Sequence, residues 1–315
     1  MKVFKINIIL ICLAGFLFSS CNKRRPPPVK PKTDLEKAYL KGKVKLIRTL
    51  KRDRFDTNFS QITNIAYNIE GNELEHNDTT LRETELPYRI LMRYNERGNK
   101  TEEAWYSGGR LMNKFVYSFD ADGYRTEDKE YDSTGKEDEK MIYKYDDNGN
   151  LKERDFLGDS YTSKWYEEYD DNRNLLKETW YKKDSLVHTT IYKYDTKGNM
   201  LEDFNFDGNG TRLRSHSYGY DSAGNKIVDS VFYTEGQCVN FPHGNLNELI
   251  TYKYDSYGNE IYKETWFYGN SPYSAIKLVH EHQYKYDTKC NWVENIDFAN
   301  GRISTKEERQ IEYYK

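Results

Sequence analysis

The residues of this 315-residue chain that could do chemistry are paired carboxylates, closely spaced histidines and rows of aromatic rings. Asp146-Asp147 and Asp170-Asp171 place acids side by side, the raw material of general acid–base work. His280-x-His282 would present two imidazoles on one face of a strand, two of the ligands a zinc site needs, but no third ligand stands at a fixed spacing. Asp146-x-Asn148-Gly149 resembles the start of a calcium loop, yet the twelve-residue pattern with its closing Glu is missing. The sequence contains no Gly-x-Ser-x-Gly, phosphate-binding glycine loop, HExxH or CxxC. The expectation is therefore no catalytic residue, no metal and no cofactor. The aromatic rows reach further. Tyr145, Trp180, Tyr194, Tyr220, Tyr254, Trp266 and Tyr286 are candidate binding residues, because rings stack on sugars while phenolic hydroxyls bond their polar rims.

These residues sit in a repeated unit, seen most clearly as Tyr143-Lys144-Tyr145-Asp146-Asp147-Asn148-Gly149-Asn150. Counted from its second ring, the unit recurs at Tyr94, Phe119, Tyr145, Tyr169, Tyr194, Tyr220, Tyr254 and Tyr286, with steps of 25, 26, 24, 25, 26, 34 and 32 residues. A period of this length along most of a chain outranks any local reading and indicates a repeat architecture. Tyr143 and Tyr145 share one strand face and Lys144 points the other way. Asp146 and Gly149, first and fourth of the turn, predict a type I turn in which Asp accepts local backbone hydrogen bonds and Gly takes a positive φ. The paired acids are then turn formers in solvent. Arg173 and Cys290 replace the glycine in two units, and Tyr124 replaces the closing asparagine in a third.

Nine or so hairpins give about twenty antiparallel strands. Because a closed barrel of that size has a lumen wider than its side chains fill, the expected fold is all-β, an elongated, curled antiparallel β-meander of tandem hairpins about 25 residues long. Its first strand, from Lys43, is expected at an edge, protected by lysine and arginine. Aromatic rings supply the core in an otherwise polar chain of 29 Tyr, 14 Phe and 5 Trp. A formal net charge of -3 excludes a nucleic-acid footprint.

The N-terminus carries a different signal. Lys2 and Lys5, the apolar stretch Ile6 to Phe18 and Ser19-Ser20 before Cys21 resemble a bacterial lipoprotein signal, which implies cleavage before Cys21 and lipidation of that residue. The domains expected are a signal peptide over 1–20, a lipidated cysteine with a basic, proline-rich linker over 21–41, and the hairpin array over 42–315, with insertions at about 234–249 and 269–274. Cys238 and Cys290 remain as one candidate disulfide in an exported chain. Lys23-Arg24-Arg25 is opposite in sign to an acidic surface-export signal, so the expected address is the outer membrane facing the periplasm, with surface exposure as the alternative.

The unit Tyr-x-Tyr-Asp-x-x-Gly-Asn resembles the YD repeats of the Rhs and teneurin families, and more closely small YD-repeat lipoproteins of the Bacteroidetes type, over roughly residues 60–315. That resemblance implies an envelope role, including carbohydrate binding, without implying the toxin-enclosing shell of large Rhs proteins. Two functions are carried forward: a non-catalytic binding or scaffold lipoprotein for a glycan or an envelope protein, and a hydrolase of envelope polysaccharide or peptidoglycan using surface carboxylates.

Overall fold

The computed structural model describes residues 25–28, 30, 32–53, 60–80, 86–233, 242–268 and 275–315. One short helix, α1 (Asp34–Lys37), precedes twenty strands: β1 (Val44–Asp53), β2 (Ser60–Tyr67), β3 (Glu73–Thr80), β4 (Tyr88–Tyr94), β5 (Lys100–Ser107), β6 (Arg110–Phe119), β7 (Arg125–Asp132), β8 (Glu137–Tyr145), β9 (Leu151–Gly158), β10 (Thr162–Tyr169), β11 (Leu175–Lys182), β12 (Ser185–Tyr194), β13 (Met200–Asp207), β14 (Arg212–Tyr220), β15 (Lys226–Tyr233), β16 (Pro242–Tyr254), β17 (Glu260–Phe267), β18 (Ile276–Tyr286), β19 (Trp292–Ala299) and β20 (Arg302–Tyr313). Each strand pairs antiparallel with the one before and the one after.

The hairpin turns form as their residues dictate. In the turn after β8 the Gly149 N–H donates to the Asp146 carbonyl at 3.1 Å, and Gly149 sits at φ 80. One Asp146 carboxylate oxygen accepts from the N–H groups of Asn148 and Asn150 at 2.9 and 2.8 Å, and the Asn150 side chain grips the other oxygen at 3.0 Å. A Cβ on Gly149 would lie 2.0 Å from the Tyr124 hydroxyl, so glycine is required there twice over. Arg173 and Cys290 take the same left-handed position at φ 66 and 64.

The sheet is a closed barrel rather than an open, elongated meander. β1 pairs with β20 from Val44 opposite Tyr313 to Asp53 opposite Thr305, so neither is an edge. The basic residues expected to guard an edge instead join the strand across the seam: Lys51 meets Glu307 at 3.1 Å and Arg52 meets Glu308 at 3.8 Å. Closure abolishes the unpaired edges that an open sheet would expose. Following the pairings once around the ring returns to β1 displaced by about 22 residues. At about 3.3 Å per residue and about 4.8 Å between strands, that stagger tilts the strands by about 40° around a ring about 40 Å across. The premise about lumen width therefore holds, and the walls tolerate it.

Alternation then assigns the two faces. One set, including Tyr143, Tyr145 and Arg154, is crowded and cross-linked by hydrogen bonds; the other, including Lys144, Ile191 and Lys193, is exposed. On a closed ring inner side chains converge and outer ones diverge, so the crowded set lines the lumen. Among the described residues the one apolar cluster, Leu35, Val44, Ile47 and Tyr67 packed with Leu40, Ile65, Ile311 and Tyr313, lies at the seam. There α1 crosses the rim formed by the Asp-x-x-Gly turns. Its Thr33 cap and Glu36 form a reciprocal pair, Leu35 N–H donates to the Gly71 carbonyl at 3.0 Å, and Asp34 accepts from Tyr94 at 2.8 Å. Farther along the same rim, Arg25 meets Asp120 at 3.8 Å and Tyr124 donates to the Pro26 carbonyl, so the described part of the linker lies against the barrel.

Candidate functional site

In three units the second tyrosine proves to be a latch. Its hydroxyl reaches back to the start of the preceding unit's return strand: Tyr145 to the Arg125 carbonyl at 3.0 Å, Tyr220 to Met200 at 2.8 Å and Tyr254 to Lys226 at 2.8 Å. Tyr286 donates to the Asp255 carboxylate and accepts from Asn259 at 2.9 Å. Burial pushes the Tyr145 and Tyr194 phenols up to about 12. The hydroxyls of Tyr145, Tyr220, Tyr254 and Tyr286 are committed to joining hairpins, which is one reason tyrosine recurs at this position. Tyr220→Phe and Tyr254→Phe should each lower unfolding stability by about 1 kcal/mol in urea titrations; unchanged midpoints would show that the latch carries no load.

The tryptophans part company. Trp180 lies on the inner face, opposite Trp165, with ring centroids 6.1 Å apart and planes at 5°. Trp266 lies on the outer face, where its Nε1 donates to Glu264 at 2.6 Å and the Lys277 ammonium sits 5.3 Å from its ring. Both occur in Lys-Glu-Thr-Trp, but Trp180 is the sixth residue after its turn asparagine, Asn174, and Trp266 the seventh after Asn259. A one-residue offset reverses the face. The same count places Trp105 and Phe156 inside, and Phe206, Phe232 and Phe298 outside. Counting from the asparagine, rather than matching the tetrapeptide, would have separated them.

The residue four after the turn's closing position forms an inner belt that the aromatic reading missed. Asp128, Arg154, Asp203, Asp229, Lys263 and Asn295 stand opposite Tyr117, Tyr143, Tyr192, Tyr218, Tyr252 and Tyr284. Tyr218 donates to Asp203 at 2.5 Å, and Tyr143 donates to Asp128. The Arg125 guanidinium, paired with Asp128, lies 4.2 Å from the Tyr117 ring centre and 5.5 Å from that of Tyr143. Burial holds the Asp128 carboxyl above its ordinary value despite Arg125. Asp229 is pulled the other way: burial opposes its charge, but hydrogen bonds from His216 and Lys226, at 3.2 and 3.0 Å, carry it below the ordinary value. The belt sets phenols opposite carboxylates, two basic groups and an amide, and its aspartates are bonded to neighbours on the same face.

His280 and His282 both face the lumen, as their spacing requires, and approach the same Asp297 oxygen at 3.5 and 3.8 Å. Among the described residues, no group of three or more His, Cys, Asp or Glu is disposed to hold a metal. Asp146 and Asp170 serve their turns. Cys21 and Cys238 lie outside the described residues, as does the insertion at 269–274 and the first part of that at 234–249; Cys290 is exposed in its turn.

No family model matches this chain, and no curated protein is significantly similar to it. Among solved structures, TcdB2-TccC3 is 12% identical with a TM-score of 0.36 over 75% of this chain, which spans 15% of the length of that one. A porin-like protein from Bacteroides uniformis is 8% identical with a TM-score of 0.36, covering 86% of this chain and 98% of that chain.

Proposed function

We propose that this chain is a non-catalytic, lipid-anchored envelope protein of the YD-repeat type whose barrel binds glycan on its inner wall. One observation carries the reading: the inner wall presents flat ring platforms beside hydrogen-bonding atoms that have no partner in the protein. The stacked Trp165–Trp180 pair, with the unpartnered Trp180 Nε1 and Ser163 Oγ beside it, is one such place. Rings beside free donors and acceptors suit a sugar, whose C–H face stacks while its hydroxyls bond.

The outer wall supports a barrel standing in water rather than in lipid. Lys140 and Glu127 pair at 2.7 Å, Lys144 joins Glu153 at 2.7 Å and Asp155 at 3.0 Å, and Lys193 joins Glu202 at 2.7 Å. Such pairs add little stability in water, whereas a lysine on a lipid-facing wall costs about 2–4 kcal/mol near the midplane. Membrane attachment then falls to Cys21. Residues 22–315, probed on an array of neutral, amino-sugar and peptidoglycan-derived oligosaccharides, should retain at least one glycan without cleaving it, and Cys21→Ser should move the full chain from the membrane to the soluble fraction. An array without binding, or release of cleaved sugar, contradicts the glycan reading; a Cys21→Ser protein still in the membrane contradicts the anchor.

A further inference from the structure

Buried polar atoms in folded proteins almost always have hydrogen-bond partners. On the inner face of β18, β19 and β20, four make no hydrogen bond: His282 Nδ1, Asn295 Oδ1, Asp297 Oδ1 and Arg309 Nε, although His280 and His282 stand 3.5 and 3.8 Å from Asp297 Oδ1, within ion-pair range. They belong to one patch. The pairing sets His282 opposite Asp297, Tyr284 opposite Asn295, and Asn295 opposite Glu307, two residues from Arg309. Asn295 is only 9% exposed, so its carbonyl oxygen is withdrawn from bulk solvent on the lumen wall. Elsewhere on the belt the equivalent acidic groups are engaged, Asp128 by Arg125 and Tyr143, and Asp203 by Tyr218 and Asn205.

Rings frame the patch. Tyr284 lies 5.9 Å from His282 with planes at 19°, 6.0 Å from Trp292 and 6.2 Å from Tyr286, and the Arg309 guanidinium sits 3.2 Å from the Trp292 ring centre. The unpartnered atoms are two acceptors, one fixed donor and one imidazole nitrogen able to take either role. An anion would meet Asp297, a cation would meet Arg309, and an apolar ligand would leave all four atoms unsatisfied. Hydroxyl groups both donate and accept, so adjacent hydroxyls on one ring answer the whole set while the ring's C–H face stacks on Tyr284 or Trp292. We infer that the β18–β20 inner wall is a subsite for one pyranose unit of a neutral glycan, held by Asn295, Asp297, His282 and Arg309. This subsite rests on the glycan reading above and names where the sugar docks.

The test uses residues 22–315 with the neutral oligosaccharides of the array, compared with Asn295→Leu, Asp297→Leu and Trp180→Phe. Asn295→Leu and Asp297→Leu should each weaken binding at least tenfold; Asn295→Leu should leave Tm unchanged or higher, because it removes a buried acceptor that no protein group satisfies, and Asp297→Leu should do so at a pH where His280 and His282 are neutral, because the oxygen it removes accepts no hydrogen bond. A merely structural role predicts a lower Tm with binding intact in the folded fraction. Binding that survives both leucine variants, or falls only with Trp180→Phe, overturns the subsite and leaves the glycan reading standing. No neutral sugar bound by the unaltered protein overturns the subsite, and no glycan of any class bound overturns the glycan reading with it. If either leucine variant fails to fold, Asn295→Asp, which keeps an acceptor while removing the amide donors, should weaken binding less than tenfold; complete loss of binding by a folded Asn295→Asp protein counts against an acceptor role.

Discussion

Arg154→Met should destabilise the barrel by about 3–5 kcal/mol at neutral pH, the cost of stranding buried charges. Arg154 sits on the inner belt with its side chain 12% exposed, 2.8 Å from Glu167 and paired also with Glu178, and Glu167 is 6% exposed. Glu167 and Glu178 stand directly opposite each other across β10 and β11, so removing the guanidinium leaves two like charges facing one another, with Glu167 withdrawn from water and Glu178 partly exposed. Burial already holds the Glu167 carboxyl above its ordinary value, with Arg154 offsetting part of that rise. The sign of the pH dependence follows. A carboxyl with a raised folded pKa favours the folded state below its unfolded pKa, and that advantage disappears as pH climbs through the folded value. Without Arg154 the folded value rises further. The deficit between variant and parent should therefore be widest near pH 7 and narrow as pH falls below the ordinary carboxylate range, read from urea midpoints at a series of pH values. A deficit independent of pH would mean that lost packing, not stranded charge, carries the effect.

Ending the chain at Gly301, which deletes β20, should have a still larger consequence: loss of the cooperative monomer. β20 supplies ladders to both β19 and β1, and Ile311 and Tyr313 complete the cluster around Leu35, Val44, Ile47 and Tyr67. Without it, two long edges are exposed at once, each a template for another chain. The shortened protein should elute from a sizing column as aggregates or not remain soluble. A stable monomer with an intact unfolding transition would show that the hairpins are self-sufficient and that closure is incidental.

Much of this fold is legible in the repeat. Asp146, Gly149 and Asn150 specify a hairpin by local chemistry, and the positive φ at Arg173 and Cys290 shows the turn imposing itself even where glycine is absent. The number of strands follows from the number of units. Closure does not follow, because it depends on whether strands some 260 residues apart can match register, and no local pattern encodes that. The clue was the basic residues on β1: Lys51 and Arg52 read as edge protection when they were half of a seam completed by Glu307 and Glu308. The aromatic site was half legible. Inward and outward rings are set by a parity counted from each turn, and one extra residue sends Trp266 outside while Trp180 stays within. The orphaned atoms on Asn295, Asp297, His282 and Arg309 have no sequence signature at all, since whether a polar atom finds a partner is decided by its neighbours on adjacent strands.

The closed ring is the premise on which an enclosed inner wall depends, and one cross-link tests it most directly. In a protein whose Cys238 and Cys290 are changed to serine, Arg48→Cys and Gln310→Cys place two thiols opposite each other across the β1–β20 seam. A barrel predicts rapid, concentration-independent formation of one intramolecular disulfide on mild oxidation, with the monomer retained and its unfolding midpoint raised. An open sheet predicts free thiols or disulfides between chains, and that result would contradict the account.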